Sequence, residues 1–240
     1  MKDANRSDSM NEVESPVRVS LFEDVEITEC GLVFEEIAWA EGFKLVAGLD
    51  EVGRGCLAGP VVAAACILDP TKPLPEGLND SKQVAAKQRE EIAEELRETS
   101  IAFAIGSVDA DEIDRINILE ATKLAMHRAL ANLAPSADFL LVDALTLKGI
   151  GIGQRSIIKG DSISASIAAA SIIAKTYRDG LMHAYDMEFP HYGFAAHVGY
   201  GTKTHLEAIK LHGACHLHRK TFRGVTQTEN FLLPSHPKVV

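Results

Sequence analysis

Apolar positions along the chain switch between two periods. Residues 44–50 and 60–68 are short, nearly unbroken apolar runs, the mark of strands buried on both faces, and the glycine-rich residues 53–59 join them. Residues 101–108 read as a strand, residues 139–142 as another that stops at Asp143, and Ser156-Ile157-Ile158 as a candidate for one more. Elsewhere the spacing is helical. Leu32, Val33, Ile37 and Ala40 predict a short amphipathic helix ending at Gly42. Residues 84–98 are charge-laced, with Ile92 and Leu96 on one face. Residues 110–134 predict a helix broken near Ile116-Asn117, with Leu119, Leu124 and Leu130 inward, closed by Pro135-Ser136. The longest helical pattern covers residues 162–187 and breaks near Pro190; a further helix is predicted over 204–212. Residues 164–174 are almost entirely Ser, Ala and Ile, small enough for a helix to lie close on a sheet.

Strands interleaved with helices predict one α/β domain over residues 45–225. A flexible acidic leader carrying the short helix (1–44) is expected before it, and a loose tail with Pro234 and Pro237 (226–240) after it. With 46% hydrophobic and 24% charged residues among 240, a mostly disordered chain is excluded. No apolar run approaches the ~18 residues of a membrane span, and the first residues lead into a polar acidic stretch without a secretory core, so a cytoplasmic protein is expected. Cys30, Cys56, Cys66 and Cys215 form no C-x-x-C pair, which favours reduced thiols over a zinc ribbon.

The net charge of −10 argues against a nucleic-acid partner, but its distribution reverses the argument. Residues 1–44 alone carry −7 and the other 196 only −3. Between His197 and Gly224, Lys203, Lys210, Arg219, Lys220 and Arg223 face a single acid, Glu207, and predict a local cationic face.

The acids fall in informative places. Asp50 and Glu51 end one apolar strand and Asp143 another, while Asp161 opens the alanine-rich helix. Acids at the ends of neighbouring strands converge, because strands of one sheet lie about 5 Å apart. Clustered carboxylates raise one another's pKa, and divalent cations relieve the repulsion. Oxygen-only donors suit Mg²⁺ or Mn²⁺ rather than zinc, and two such ions about 4 Å apart can activate a water and stabilise the leaving oxygen of a phosphodiester. A helix N-terminus would keep Asp161 ionised. Spacing alone leaves the plainer readings open: turn residues for the strand-end acids and a helix cap for Asp161.

The loop from Gly53 to Gly59 has a dinucleotide-binding turn as its rival, but that fingerprint must open a helix. Here Pro60 and a β-like run follow, and two acids just before the loop would repel a pyrophosphate. Its glycines let main chain approach a bulky ligand, with Arg54 able to meet phosphate.

Five ordered blocks are similar to bacterial ribonuclease HII. They are Asp50-Glu51-Val52-Gly53-Arg54-Gly55 with Ala58-Gly59-Pro60; Asn79-Asp80-Ser81-Lys82; Lys159-Gly160-Asp161 with the run from Ser166 to Lys175; Tyr192-Gly193-Phe194 with Gly199-Tyr200-Gly201-Thr202; and His218-Arg219-Lys220-Thr221-Phe222. The resemblance implies a ribonuclease H-like mixed β-sheet flanked by helices, with a helical C-terminal part. It implies an endonuclease cutting the RNA strand of RNA/DNA hybrids, and cutting 5′ of a lone ribonucleotide in duplex DNA to leave a 3′-hydroxyl and a 5′-phosphate, in ribonucleotide and primer removal. The implied ligands of two Mg²⁺ or Mn²⁺ ions are Asp50, Glu51, Asp143 and Asp161. By the same resemblance the main chain of Gly53, Arg54 and Gly55 would meet the ribose 2′-OH, the group that separates RNA from DNA. Tyr200 would pack on the sugar at the junction, and Ser81 and Lys82 would contact phosphate. A DNA nuclease of the same fold and a non-catalytic binding module are the alternatives; carboxylates only weaken phosphate binding unless cations intervene, which disfavours the second.

Other expectations are plainer. The chain is expected to be a monomer. Residues 227–233 faintly resemble a sliding-clamp peptide. His205, His212, His216 and His218 are expected on a solvated or phosphate-facing surface, Lys175 and Arg178 as solvated positions of the long helix, and Cys56 as small packing.

Overall fold

The run of small apolar residues after Pro60 becomes β2 (Val61–Ile67), buried at all seven positions. It pairs antiparallel with β1 (Val46–Val52) and with β3 (Ala102–Val108), while β1 pairs parallel with β4 (Phe139–Asp143), and β4 parallel with β5 (Gly153–Ile157). The order is β3-β2-β1-β4-β5, so β1 is central. This computed structural model describes residues 29–225. The expected leader up to residue 28, the tail and the clamp-like segment 227–233 lie outside the described residues.

Helices cover both faces of the sheet, which is why β2 reads as a continuous apolar run rather than an alternating one. Val61, Ala63, Ala65 and Ile67 face one core with α4 (Ile118–Asn132); Val62, Ala64 and Cys66 face the other with α2 (Ala86–Thr99) and α5 (Ala165–Glu188). A glycine sits at the tightest approach on each face. A Cβ on Gly48 of β1 would lie 2.0 Å from the Ser166 carbonyl carbon of α5, and one on Gly106 of β3 would lie 2.1 Å from the Ala125 carbonyl oxygen of α4. That proximity corrects the expected inward set of α4. Ala121, Ala125, Met126 and Ala129 fill the buried stripe, Leu124 and Leu130 are only partly buried, and Leu119 is 39% exposed. The break is as expected: α3 (Ala110–Ile116) ends at Asn117, whose φ is +70° and whose side chain caps α4 by accepting from the Leu119 and Glu120 N–H groups at 3.0 and 3.2 Å.

The short helix expected before residue 44 is present and packs on the sheet. Helix α1 (Val33–Ala40) packs Ala38, Phe34 and Trp39 with Phe43, Val46 and Phe139. Its Glu35 is 1% exposed, and one carboxylate oxygen accepts from the Ser164 and Ser166 hydroxyls, both at 2.6 Å, and from the Ser166 N–H at 2.9 Å. The first turn of an acidic helix thus provides the buried acceptor at the start of α5. Gly31 adds a bridge to Ser164, accepting from the Ala165 N–H at 2.8 Å. After α5, the short α6 (Phe194–His197) and α7 (Lys203–His212) build a C-terminal cluster in which Phe194, Ile209 and Leu217 pack on Leu57 and Ala58.

Glu35→Ala leaves three buried donors without their acceptor, so a loss of about 2–4 kcal/mol is expected in urea denaturation. Leu119→Ser, at the exposed position, is expected to change stability by less than about 0.5 kcal/mol.

Candidate active site

The two central parallel strands bring their acids to one edge. Leu49 pairs with Val142, and both point into the core beneath α4, so Asp50 and Asp143, the next residue of each strand, turn to the α5 side. Asp161 reaches the same edge from the 3₁₀ turn Gly160–Ser162, and the Gly160 N–H donates to Asp143 Oδ1 at 2.8 Å. Asp161 does not open α5 as expected. The helix starts a turn later, capped by Ser164, and its first three N–H groups go to Gly31, Glu35 and Ser164.

The electrostatics of the group are unfavourable when it is fully ionised. Asp50 is 4% exposed; burial, then Glu51 and Asp143, push its carboxyl well above the ordinary range, against the Ser171 hydroxyl and the Glu51 N–H that favour the anion. Burial raises Glu51 despite its ion pair with Arg54 at 3.0 Å. Burial also raises Asp143, with Asp161 adding to it and the Gly160 N–H opposing it. The Glu51 Oε2 atom is buried and has no hydrogen-bond partner.

Lys82 partly offsets this charge. Its ammonium lies 3.6 Å from Asp80 and 3.5 Å from Asp161; burial lowers its pKa, but Asp80, Asp161 and Asp50 outweigh that and raise it overall. Among the described residues, no three His, Cys, Asp or Glu groups close on one point in a geometry that could hold an ion. The donor set still fits a divalent cation: all oxygen, one atom buried without a partner, and one carboxyl buried among like charges.

The glycine loop stands beside these acids on a pedestal of two fully buried arginines. Arg178 donates to the Ala58, Pro60 and Val198 carbonyls at 3.1, 2.9 and 2.8 Å. Arg219 donates to the Gly59 carbonyl through two nitrogens, at 3.1 and 2.9 Å, and to the Arg54 carbonyl at 2.9 Å. Gly53 has φ +91°, and a Cβ there would lie 2.2 Å from Arg178 Nε. Gly55 is exposed, with open space where its Cβ would project.

Of the other expected site residues, Ser81 is buried, its hydroxyl 2.9 Å from that of Ser171, so it holds the Lys82 loop onto α5. Tyr200 is 41% exposed and lies beside the Cys56 thiol of the glycine loop, which donates to the Val198 carbonyl at 3.6 Å. Cys56 itself is buried, as expected. Three expectations are corrected. Arg178 and Arg219 are not solvated cations but internal donors to carbonyls, and Arg219 leaves the expected cationic face, where Lys203, Lys210, Lys220 and Arg223 remain exposed. His205 and His218 are fully buried, whereas His212 and His216 are exposed. Lys175 is half-buried and paired with Asp179 at 2.7 Å. Helical spacing held a signal for Arg178, since Ala174, Arg178 and Met182 share one buried stripe; Arg219 had none, because its partners are main-chain carbonyls.

Compared with known proteins, residues 47–225 match the family profile of Ribonuclease HII. The chain belongs to the ribonuclease HII family. Ribonuclease HII of Syntrophotalea carbinolica is 52% identical over 196 residues, covering 82% of this chain and 93% of that protein. Ribonuclease HII of Chlamydia abortus is 54% identical over 196 residues, covering 81% and 92%. Among solved structures, the ribonuclease H2 of Pyrococcus horikoshii superposes with a TM-score of 0.65 at 27% identity, covering 78% of this chain and 97% of that one. The Archaeoglobus fulgidus ribonuclease HII, solved as a complex with PCNA, does so with a TM-score of 0.62 at 25% identity, covering 75% and 96%. The fold is therefore of the ribonuclease H type, and the chain is a ribonuclease H enzyme, an endonuclease hydrolysing the RNA strand of RNA/DNA hybrids. Among the described residues, no helix is long and apolar enough to cross a membrane.

A carboxyl whose folded pKa exceeds its unfolded value holds its proton more tightly when folded, so ionising it costs stability once pH rises above the unfolded value. Asp50→Asn removes that cost. With a chelator at pH 7 this variant is expected to melt higher than the parent. The difference shrinks as pH falls towards the ordinary carboxylate range, read by calorimetry of both proteins in parallel.

Proposed function

We propose that this ribonuclease HII cuts on the 5′ side of ribonucleotides, single ones embedded in duplex DNA included, by two-metal-ion hydrolysis that leaves a 3′-hydroxyl and a 5′-phosphate. The observation that carries the reading is the meeting of Asp50, Asp143 and Asp161 at one sheet edge, beside a Glu51 oxygen buried without a partner. Two Mg²⁺ or Mn²⁺ ions, when bound there, would supply water activation and stabilisation of the leaving oxygen. Asp50, Glu51, Asp143 and Asp161 would hold them. Ser171 and the Glu51 and Gly160 N–H groups orient Asp50 and Asp143, so the ligands are preorganised by the fold.

The remaining residues read the substrate. The Arg54, Ala58, Gly59 and Pro60 carbonyls turn inward onto Arg178 and Arg219, which keeps the loop rigid and leaves Gly55 open for a ribose 2′-OH to approach. Tyr200, across from Cys56, would pack on the sugar at the RNA–DNA junction. Lys82 would meet a phosphate once a cation takes its place beside Asp161, with Ser81 holding its loop. Arg54, paired with Glu51, stands at the loop's outer edge for a second phosphate contact. The A. fulgidus relative was solved with PCNA, and residues 227–233 are the segment through which this chain would meet a sliding clamp.

Asp50→Asn and Asp143→Asn are each expected to reduce cleavage at least about a thousandfold in Mg²⁺ with an unchanged circular-dichroism spectrum; wild-type rates would reject them as ligands. Gly55→Ala is expected to fold with a stability change under about 0.5 kcal/mol yet lose about tenfold or more in cleavage at a single ribonucleotide. The paired assay compares an all-DNA duplex with one carrying a single ribonucleotide in Mg²⁺, Mn²⁺ and chelator at fixed salt. Only the second is expected to be cut, and only with metal; equal cleavage of both would overturn the proposed specificity.

A further inference from the structure

Three buried histidines that the proposed reaction does not use lie directly behind Tyr200. His205 and His218 are fully buried and His197 nearly so. Main-chain groups, whose sense as donor or acceptor is fixed, decide which ring nitrogen carries each proton. The Cys215 N–H donates to His218 Nδ1 at 3.0 Å, so the neutral His218 ring carries its proton on Nε2. That proton points at His205 Nε2, 3.1 Å away, which leaves the His205 proton on Nδ1. His205 Nδ1 in turn donates to the Tyr200 carbonyl at 2.8 Å. On the other side of the same residue, the Tyr200 N–H donates to the His197 carbonyl at 2.9 Å. The His197 ring accepts from the Gly199 N–H at 3.2 Å, donates to the Tyr192 carbonyl at 2.9 Å, and stacks on His205 with centroids 4.3 Å apart.

A second proton on either ring of the pair would set two N–H groups against each other. Burial acts in the same direction, holding His205 and His218 down to about 4. Each nitrogen of the pair is engaged inside the protein, so neither ring can act on substrate. What the chain of bonds does reach is the main chain of Tyr200, whose ring stands half-exposed against Cys56.

We infer that the neutral relay from Cys215 through His218 and His205 to the Tyr200 carbonyl is a positioning device, which sets the Tyr200 ring at the rim of the glycine loop and so tunes cleavage at RNA–DNA junctions. The inference rests on the assignment of Tyr200 to the junction sugar. His205 and His218 are positioning residues, not catalytic ones.

The test is a double-mutant cycle on a duplex with one ribonucleotide, with kcat and KM measured separately for His205→Leu, Tyr200→Ala and the double variant. His205→Leu is expected to lower kcat/KM about tenfold in the parent and less than about twofold in the Tyr200→Ala background. Equal losses in both backgrounds would overturn the inference. A second readout is the alkylation rate of Cys56, mapped by peptide mass. It is expected to rise in His205→Leu, because a loosened Tyr200 uncovers the thiol; an unchanged rate would also overturn it. Should Tyr200→Ala itself leave cleavage intact, the sugar assignment fails, and Cys56 alkylation alone decides the relay. If His205→Leu does not fold, two conservative variants replace it. His205→Asn keeps a donor for the Tyr200 carbonyl and His205→Gln keeps only the contact with His218, so Asn is expected to retain more activity and the slower Cys56 alkylation. Equal behaviour of the two would count against the relay.

Discussion

The structure depends on how closely α5 lies on β1. At Gly48 there is no room for even one carbon between strand and helix, and that contact fixes three features of the cleft together. It holds the turn carrying Asp161 at the end of β4 and places the Ser171 hydroxyl on Asp50. It also drives Arg178 beneath the glycine loop, where the absence of a Gly53 side chain receives its guanidinium. The small-residue run from Ala165 to Ala174 is the helix's half of this arrangement, since bulkier side chains would lift α5 off the sheet.

That geometry concentrates negative charge where water is scarce. Asp50, Glu51 and Asp143 are held in surroundings that favour their protonated forms, and Lys82 and Arg54 offset only part of the repulsion. Destabilised carboxylates of this kind are what a divalent cation binds with most gain. The same strain means that each of these carboxylates, once ionised, weakens the fold that carries it. The buried arginines follow another logic. Neither meets a carboxylate among its hydrogen bonds; their charge is spread over backbone carbonyls of the loop they support.

Much of the architecture was legible in the residues. Four of the five strands were visible, because a sheet covered on both faces leaves an unbroken apolar signal in β1, β2 and β4; of the edge strand β5, polar and only partly buried, just Ser156 and Ile157 fell in the candidate run. The break between α3 and α4 was visible at Asn117. The inward face of α4 was misread because periodicity gives weight to leucines, whereas the close approach at Gly106 admits alanines and one methionine. The positions of Asp50, Glu51 and Asp143 at strand ends were legible, whereas Asp161 sits a turn ahead of its helix. Glu35, His205, His218 and Arg219 were not. Polar residues default to the surface in any sequence reading, and their partners here are main-chain groups or distant serines that leave no local trace.

The reach of Arg219 carries a consequence for biosynthesis. Its hydrogen bonds to Gly59 and Arg54 close over 160 and 165 residues of chain, and Ser164 meets Glu35 across 129. Translation delivers the acids and the glycine loop well before the cation that braces them. A nascent polypeptide still on the ribosome therefore lacks a finished cleft until almost its whole catalytic domain has emerged, some seconds to tens of seconds after Asp50 at about 5–20 residues per second. The cleft is thereby kept unassembled until the chain has been made as far as Arg219.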